Sequence, residues 1–309
     1  MNNQILDQNL ALLVGQAQAK QLLAKYLTAD SCSAYLLVGP PHVGKGWLAR
    51  LMAASWHGES DFHKIHPDTV VFEDILVKNS SENDENQWKR SVDDFVHAIY
   101  LSPVVSSRKI GIVENIDRFS PQALNALLKT LEEPPPRAML ILTAQDVANI
   151  LPTILSRVQM IRLHYLSNAE MQEYLSGKQA VNIPEITLLS NGAVGLANRL
   201  MQDKSFYDKS LAGINSFQIL LQKDIPQMLR IANIKEREEA IELVQIWLNL
   251  ARRALLGELK EVSSLAEITK NYTSADWVKL IDRLNLALVA LDANANVRVT
   301  MEATLLSVV

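Results

Sequence analysis

The chain has 309 residues, 48% of them apolar and 21% charged, with a formal net charge of −4 at pH 7. This length exceeds that of one ordinary domain and predicts two or three domains. A protein that grips DNA alone usually carries a strong positive excess, so the composition excludes extensive DNA binding by this chain by itself. Any DNA contact is expected to be local or shared with partners.

The single cysteine, Cys32, excludes an internal disulfide and a multi-cysteine metal site. Residues 1–15 lack the basic segment and the apolar run of a signal peptide. No window approaches about 18 consecutive apolar residues, the minimum for a membrane-spanning helix. The sequence therefore predicts a cytoplasmic protein without a membrane partner.

The first half of the chain alternates short apolar runs with helical patterns, such as those at residues 47–56 and 121–133. Five runs have the length of strands and no strict polar alternation, which is typical of strands covered on both faces. They are residues 34–38, 69–72, 110–113, 138–142 and 160–163. This rhythm predicts an α/β fold with a parallel sheet and helices on both of its faces. The polar run at residues 79–87 is expected to be a solvated loop.

After Leu163 the strand patterns stop. Short helices broken at Gly177, Pro184 and Gly192 are expected to form a small lid, and longer amphipathic helices follow from residue 205. Their apolar stripes indicate an internal helical core, with packing against neighbouring subunits as a second use. The predicted domains are a core over residues 1–164, a helical lid over 165–204 and an all-α collar (oligomerisation) domain over 205–309.

Residues 39–45, Gly-Pro-Pro-His-Val-Gly-Lys, follow a predicted strand and precede a predicted helix. This is the context of a phosphate-binding loop (P-loop), whose glycines let successive amide N–H groups converge on phosphate. The helix N-terminus adds partial positive charge, and a lysine reaches the terminal phosphates. Gly39, Gly44 and Lys45 are therefore the candidate nucleotide-binding residues.

Groups that a working ATPase needs are missing from this site. The position that should supply a Mg²⁺-binding hydroxyl is Gly46. Where an Asp-Glu pair is required, the chain has Glu114 and Asn115: the first can imitate a metal-supporting carboxylate, but the second cannot act as a base. Loss of a general base costs about 10²–10⁴-fold, and Asp117 is expected to be a solvated loop carboxylate rather than a substitute. We expect a vestigial site with weak or absent ATP or ADP binding, no required cofactor and no metal.

Ser120 and Pro121 have the features of a helix start, and Pro134 ends that helix. Its sequence at residues 125–135, Asn-Ala-Leu-Leu-Lys-Thr-Leu-Glu-Glu-Pro-Pro, resembles the signature of bacterial clamp-loader subunits of DNA polymerase III, an AAA+ family. Leu-Pro-Thr-Ile-Leu-Ser-Arg at residues 151–157 resembles it too. The resemblance covers essentially the whole chain and is to the delta-prime group in particular.

In this family the arginine of a Ser-Arg-Cys motif acts as an arginine finger, inserted into the ATP site of a neighbouring subunit. The matching residues here are Ser156, Arg157 and Val158, so the resemblance implies that role for Arg157. Such a guanidinium stabilises transition-state charge and contributes about 10³–10⁵-fold to the rate in comparable systems. Without the resemblance, a surface arginine in a salt bridge would be the favoured interpretation.

Other positions also depart from the hydrolysing members of the family. Gly195 stands where their lid carries a sensor arginine, and the sensor position after the fourth strand, near Gln145, is not the Thr or Asn usual in active subunits. The four-cysteine zinc module of many relatives is missing. Three histidines, His57, His63 and His66, lack thiolate or carboxylate partners at metal-binding spacing.

The resemblance implies a non-hydrolysing stator subunit that assembles with gamma/tau motor subunits and delta. It would help load the sliding clamp onto primer-template DNA, which it meets through the complex. The alternative is an active, gamma/tau-like ATPase motor of the same loader. A small-molecule P-loop kinase fits residues 125–135 poorly. Arg108 and Lys109 are candidate DNA contacts, although a solvated position before the third strand is the favoured interpretation.

Overall fold

The structure, a computed structural model, describes residues 8–29, 33–72, 85–261 and 263–306. Cys32 and residues 79–84 of the expected polar loop lie outside the described residues. Residues 85–87 of that run begin a helix, so the loop prediction is wrong at this end. The chain folds into two compact units, one of residues 1–170 with 193–195 and one of residues 171–192 with 196–309. The three-domain division stays a prediction.

Five parallel strands form one sheet in the first unit, in the order β2-β3-β4-β1-β5. Their bounds are β1 Ala34–Val38, β2 Thr69–Phe72, β3 Lys109–Val113, β4 Ala138–Ala144 and β5 Gln159–Arg162. All five predicted strands are confirmed, with ends within two residues of the expected ones. Helices cover both faces of this sheet, so the predicted parallel α/β fold is confirmed.

Helices alternate with these strands in the first unit, as predicted, and only helices follow β5 among the described residues. In chain order they are α1 Ala17–Ala29, α2 Lys45–His57, α3 Glu85–Tyr100, α4 Pro121–Glu132, α5 Pro152–Leu155, α6 Asn168–Gly177, α7 Ile183–Ser190, α8 Val194–Gln202, α9 Lys204–Gln222, α10 Ile225–Ile231, α11 Arg237–Leu255, α12 Ser263–Thr269, α13 Ser274–Asp292 and α14 Val297–Leu306. Within the described residues, none is both long and apolar enough to cross a membrane. Ser120 caps α4 as expected, its Oγ accepting the N–H of Ala123 at 3.3 Å.

Alternate residues of the strands face opposite layers of helices. Leu36 on β1 packs in the apolar cluster that α3 and α4 cover, whereas Tyr35 and Leu37 pack in the cluster that α1 and α2 cover. Parallel strands with both faces buried end at a common edge, where ligands of such folds bind. At that edge β1 leads into the phosphate loop, β3 into Glu114 and β4 into Gln145.

A buried carboxylate fixes the segment between α3 and β3. Asp68 is fully buried and accepts backbone N–H groups from Val104, Val105 and Ser106 at 2.6, 2.8 and 2.7 Å. Burial raises the pKa of Asp68, but these three donors together lower it more, so the net pKa lies well below its ordinary value. The exposed side chains of Val104 and Val105 are thereby held on an ordered backbone.

The second unit is helical, as the apolar stripes predict. Its core contains Trp247 of α11 and Trp277 of α13, and Trp247 Nε1 donates to Ser216 Oγ at 3.0 Å. Arg253 is 5% exposed and donates to the carbonyls of Thr187 and Leu188, the latter at 3.2 Å. An internal core for these stripes is therefore confirmed.

Candidate functional site

The predicted phosphate loop lies between β1 and α2. Gly44 has a φ of 102° and is the N-cap of α2, a backbone conformation that favours glycine. Gly39 passes so close to the end of β5 that a Cβ there would lie 2.5 Å from the carbonyl oxygen of Leu163. Both glycines are thus required by the loop's backbone.

The ammonium of Lys45 is bound by the loop itself. Lys45 is 8% exposed, and its Nζ donates to the carbonyls of Gly39 and Pro40 at 2.7 and 2.8 Å. Burial lowers the pKa of Lys45, and the negative charge of Asp117 offsets part of this effect. A phosphate that engages this lysine has to compete with two carbonyl acceptors that are already in place.

Gly46, Glu114 and Arg50 form a compact group beside the loop. A Cβ on Gly46 would lie 2.8 Å from Glu114 Oε1, so a serine or threonine at this position requires the end of the glutamate side chain to shift. The same oxygen lies 3.5 Å from Arg50 Nη2. The carboxylate that supports Mg²⁺ in a working site is therefore paired with a guanidinium of its own chain, and the residues present do not fit a tightly held Mg²⁺.

The residues after Glu114 have structural partners. Asn115 has a φ of 55°, a left-handed conformation that asparagine tolerates well, and its N–H donates to Thr143 Oγ1 at 3.0 Å. Asp117 Oδ2 accepts the N–H of Gln145 at 3.2 Å from a half-buried position. The prediction of a solvated loop carboxylate at Asp117 is wrong, because this side chain joins the ends of β3 and β4.

Gly195, at the expected place of the sensor arginine, touches the phosphate loop. Its N–H donates to the carbonyl of His42 at 2.8 Å, and a Cβ would also lie 2.8 Å from that oxygen. Residues 193–195 accordingly belong to the first compact unit. A side chain at this position would displace the backbone that fixes the loop.

Arg157 lies in a second cluster, just after α5. Its Nη1 donates to the carbonyl of Thr153 at 2.8 Å and to Ser156 Oγ at 3.2 Å. Its Nη2 lies 3.0 Å from Glu132 Oε1, at the end of α4, and the arginine side chain is 36% exposed. Val158, at the cysteine position of the motif, packs into the core beneath α4. The guanidinium is therefore surface-accessible but folded back on its own chain.

The structure also corrects one surface prediction. Lys109 is only 7% exposed at the start of β3, so it is neither a solvated residue nor an open DNA contact.

His57 and His66 stack with ring centroids 3.9 Å apart instead of pointing at a common centre. Burial, with help from the neighbouring His66, lowers the pKa of His57 to about 4.

Two partners of the site residues, Arg50 and Glu132, were not predicted from the sequence. Gly46 and Arg50 are four residues apart on α2, which predicts that they share a helix face but not that Arg50 pairs with Glu114. The sequence singled out Glu132 only as one residue of the signature at residues 125–135 and gave it no partner. Its pairing with Arg157 joins the end of α4 to the turn after α5, with β4 between them in the chain, which no local pattern indicates.

Comparison with known proteins identifies the fold and the family. Residues 15–167 match the family model described as DNA polymerase III, delta subunit. The delta' subunit of Pseudomonas aeruginosa DNA polymerase III is 30% identical over 191 residues, which cover 56% of this chain and 56% of that protein. The gamma subunit of Buchnera aphidicola subsp. Schizaphis graminum is 25% identical over 289 residues, or 86% of this chain and 76% of that protein.

A second gamma subunit, from Buchnera aphidicola subsp. Acyrthosiphon pisum, is 28% identical over 50% of this chain and 45% of its own length. The chain thus spans about half the length of this relative and of the Pseudomonas protein. A DNA polymerase III gamma subunit-related protein from Thermotoga maritima has the same fold, with a TM-score of 0.54 and 19% identity over 94% of this chain and 98% of that one. The chain belongs to the family of DNA polymerase III clamp-loader subunits, which have the AAA+ fold.

Proposed function

We propose that the chain is a non-hydrolysing stator subunit of the clamp loader. It assembles with gamma/tau motor subunits and delta in the cytoplasm, and it helps place the sliding clamp on primer-template DNA. In that complex it presents Arg157 as an arginine finger to ATP held by an adjacent motor subunit. Its own nucleotide site binds ATP or ADP weakly or not at all.

The observation that carries this proposal is the group of Gly46, Glu114 and Arg50. Hydrolysis requires a divalent cation that bridges the phosphates and stabilises the charge that develops on them. Here the Oε1 of Glu114 lies 2.8 Å from the place of a Cβ on residue 46 and 3.5 Å from Arg50 Nη2. Asn115 supplies no carboxylate base, so metal binding and water activation are impaired together.

The position of Arg157 supports the second half of the proposal. A finger that serves another subunit must be anchored in its own fold and still reach the surface. Arg157 meets both conditions, because Val158 beside it is buried in the core while the arginine side chain is 36% exposed. Its planar guanidinium suits bidentate binding to phosphate oxygens.

A gamma/tau-like motor is the competing candidate, favoured by the 25% identity to a Buchnera gamma subunit over 86% of this chain. A motor needs its P-loop lysine for turnover, whereas a stator does not. The two candidates therefore differ most in what happens when Lys45 is removed.

A loader reconstituted with the Lys45→Met variant is expected to load clamps at about the rate of the unchanged loader, because the stator's own loop takes no part in hydrolysis. Methionine preserves much of the side-chain length, and thermal denaturation checks that the variant folds. Omission of the chain should abolish loading. Loss of loading with a folded, assembled Lys45→Met subunit would instead establish the motor function.

A further inference from the structure

The side chain of Arg157 is held by its own subunit through both terminal nitrogens. Nη1 donates to the carbonyl of Thr153 at 2.8 Å and to Ser156 Oγ at 3.2 Å, while Nη2 lies 3.0 Å from Glu132 Oε1. Thr153 lies within α5, so the guanidinium bends back along the helix that precedes it. In this conformation both nitrogens that would form a bidentate contact with phosphate already have acceptors.

We propose that Glu132 is a positioning residue that parks Arg157 against its own subunit until a neighbouring triphosphate draws it away. This inference rests on the proposed function of Arg157 as a finger acting in trans. Glu132 does not touch the nucleotide in this scheme. It competes with the nucleotide for the guanidinium and thereby limits the fraction of fingers that are extended.

The attraction between Arg157 and Glu132 is weak enough for a phosphate of a neighbouring nucleotide to compete with it. The pair is exposed, with 36% of the arginine and 47% of the glutamate side chain accessible, so its attraction is weak and readily reversed. A γ-phosphate offers more negative charge than one carboxylate, and it accepts hydrogen bonds from both terminal nitrogens. A correctly placed ATP therefore competes with Glu132 and extends a fraction of the fingers, whereas an empty or misplaced neighbouring site leaves the arginine parked.

The glutamate also carries a charge that acts directly on the same site. When Arg157 leaves it, Glu132 becomes an unpaired carboxylate close to the incoming phosphates and disfavours the extended state further. Neutralising Glu132 therefore removes both the competing acceptor and this repulsion. Both effects increase the population of extended fingers, so the two contributions have the same sign.

The test is steady-state ATP turnover by the reconstituted loader without clamp or DNA, with four versions of this subunit. The versions are Glu132→Gln, Glu133→Gln, Arg157→Ala and the double variant Glu132→Gln/Arg157→Ala. Glu133 is the matched control, since it is an exposed glutamate one residue further on in the same signature. Glu132→Gln is expected to raise kcat about two- to fivefold, which corresponds to the release of one exposed ion pair, with little change in KM.

The double variant should have the low turnover of Arg157→Ala, and Glu133→Gln should match the unchanged subunit. A purely structural role of Glu132 would not give a rise that depends on Arg157. If Arg157→Ala lowers turnover while Glu132→Gln does not raise it, or raises it equally without Arg157, the parking role is overturned and the finger stands. If Arg157→Ala itself changes nothing, the proposed function fails.

Discussion

Arg157→Ala is expected to lower ATP turnover by the reconstituted clamp loader while the subunit stays folded and assembled. An arginine finger contributes about 10³–10⁵-fold at the site that it serves. The variant should therefore silence the neighbouring motor's ATP site, and total turnover should fall at least by that site's share. Folding should be nearly unaffected, because an exposed ion pair such as that with Glu132 contributes about 0.2–1 kcal/mol.

Arg157→Lys is the matched control for charge. A lysine keeps the positive charge but loses the planar fork that binds two phosphate oxygens, so it should restore only part of the activity. Single-turnover measurements on the assembled loader separate the chemical step from binding. Turnover that is unchanged in a correctly assembled Arg157→Ala complex would refute the trans-acting role.

Asp68→Ala is expected to lower the free energy of unfolding of the chain by about 3–5 kcal/mol. The fully buried carboxylate accepts three backbone N–H groups, from residues 104, 105 and 106, and alanine leaves all three without this acceptor. Urea denaturation measures the change. Asp61→Ala, in an exposed local turn, is the control and should stay within about 0.5 kcal/mol of the unchanged chain.

The same carboxylate should give an acid-dependent stability. Because the pKa of Asp68 is lowered in the folded chain, its stabilisation is fully present above the ordinary aspartate pKa and is lost as the pH falls below about 4. Asp68→Ala should therefore lose less stability than the unchanged chain over this acid range. Parallel stability curves for the two proteins would show that Asp68 has no such role.

Gly46 and Gly195, at the expected positions of a Mg²⁺-binding hydroxyl and a sensor arginine, both have close neighbours. A Cβ would lie 2.8 Å from Glu114 Oε1 at Gly46 and 2.8 Å from the carbonyl oxygen of His42 at Gly195. Restoring a hydroxyl or a sensor arginine therefore requires the neighbours to move as well. The required shift is large at Gly195, where the neighbour is backbone, and small at Gly46, where it is the end of a flexible side chain.

The sheet and the phosphate loop were predictable because their signals are local. Strands buried on both faces have continuous apolar runs, and the loop combines two glycines and a lysine between a strand and a helix. The partners of the site residues were not predictable in this way. Arg50 and Glu114 are 64 residues apart, and Asp117 and Gln145 are 28 apart, so only the order of the parallel strands brings them together.

Nucleotide titration of the isolated chain, with and without Mg²⁺ and followed by phosphate release, tests the central claim most directly. The account predicts no Mg²⁺-dependent gain in ATP affinity and no phosphate release above background, because Glu114 is held by Arg50 and residue 46 has no hydroxyl. Mg²⁺-dependent ATP binding in the micromolar range, accompanied by turnover of the lone chain, would contradict it.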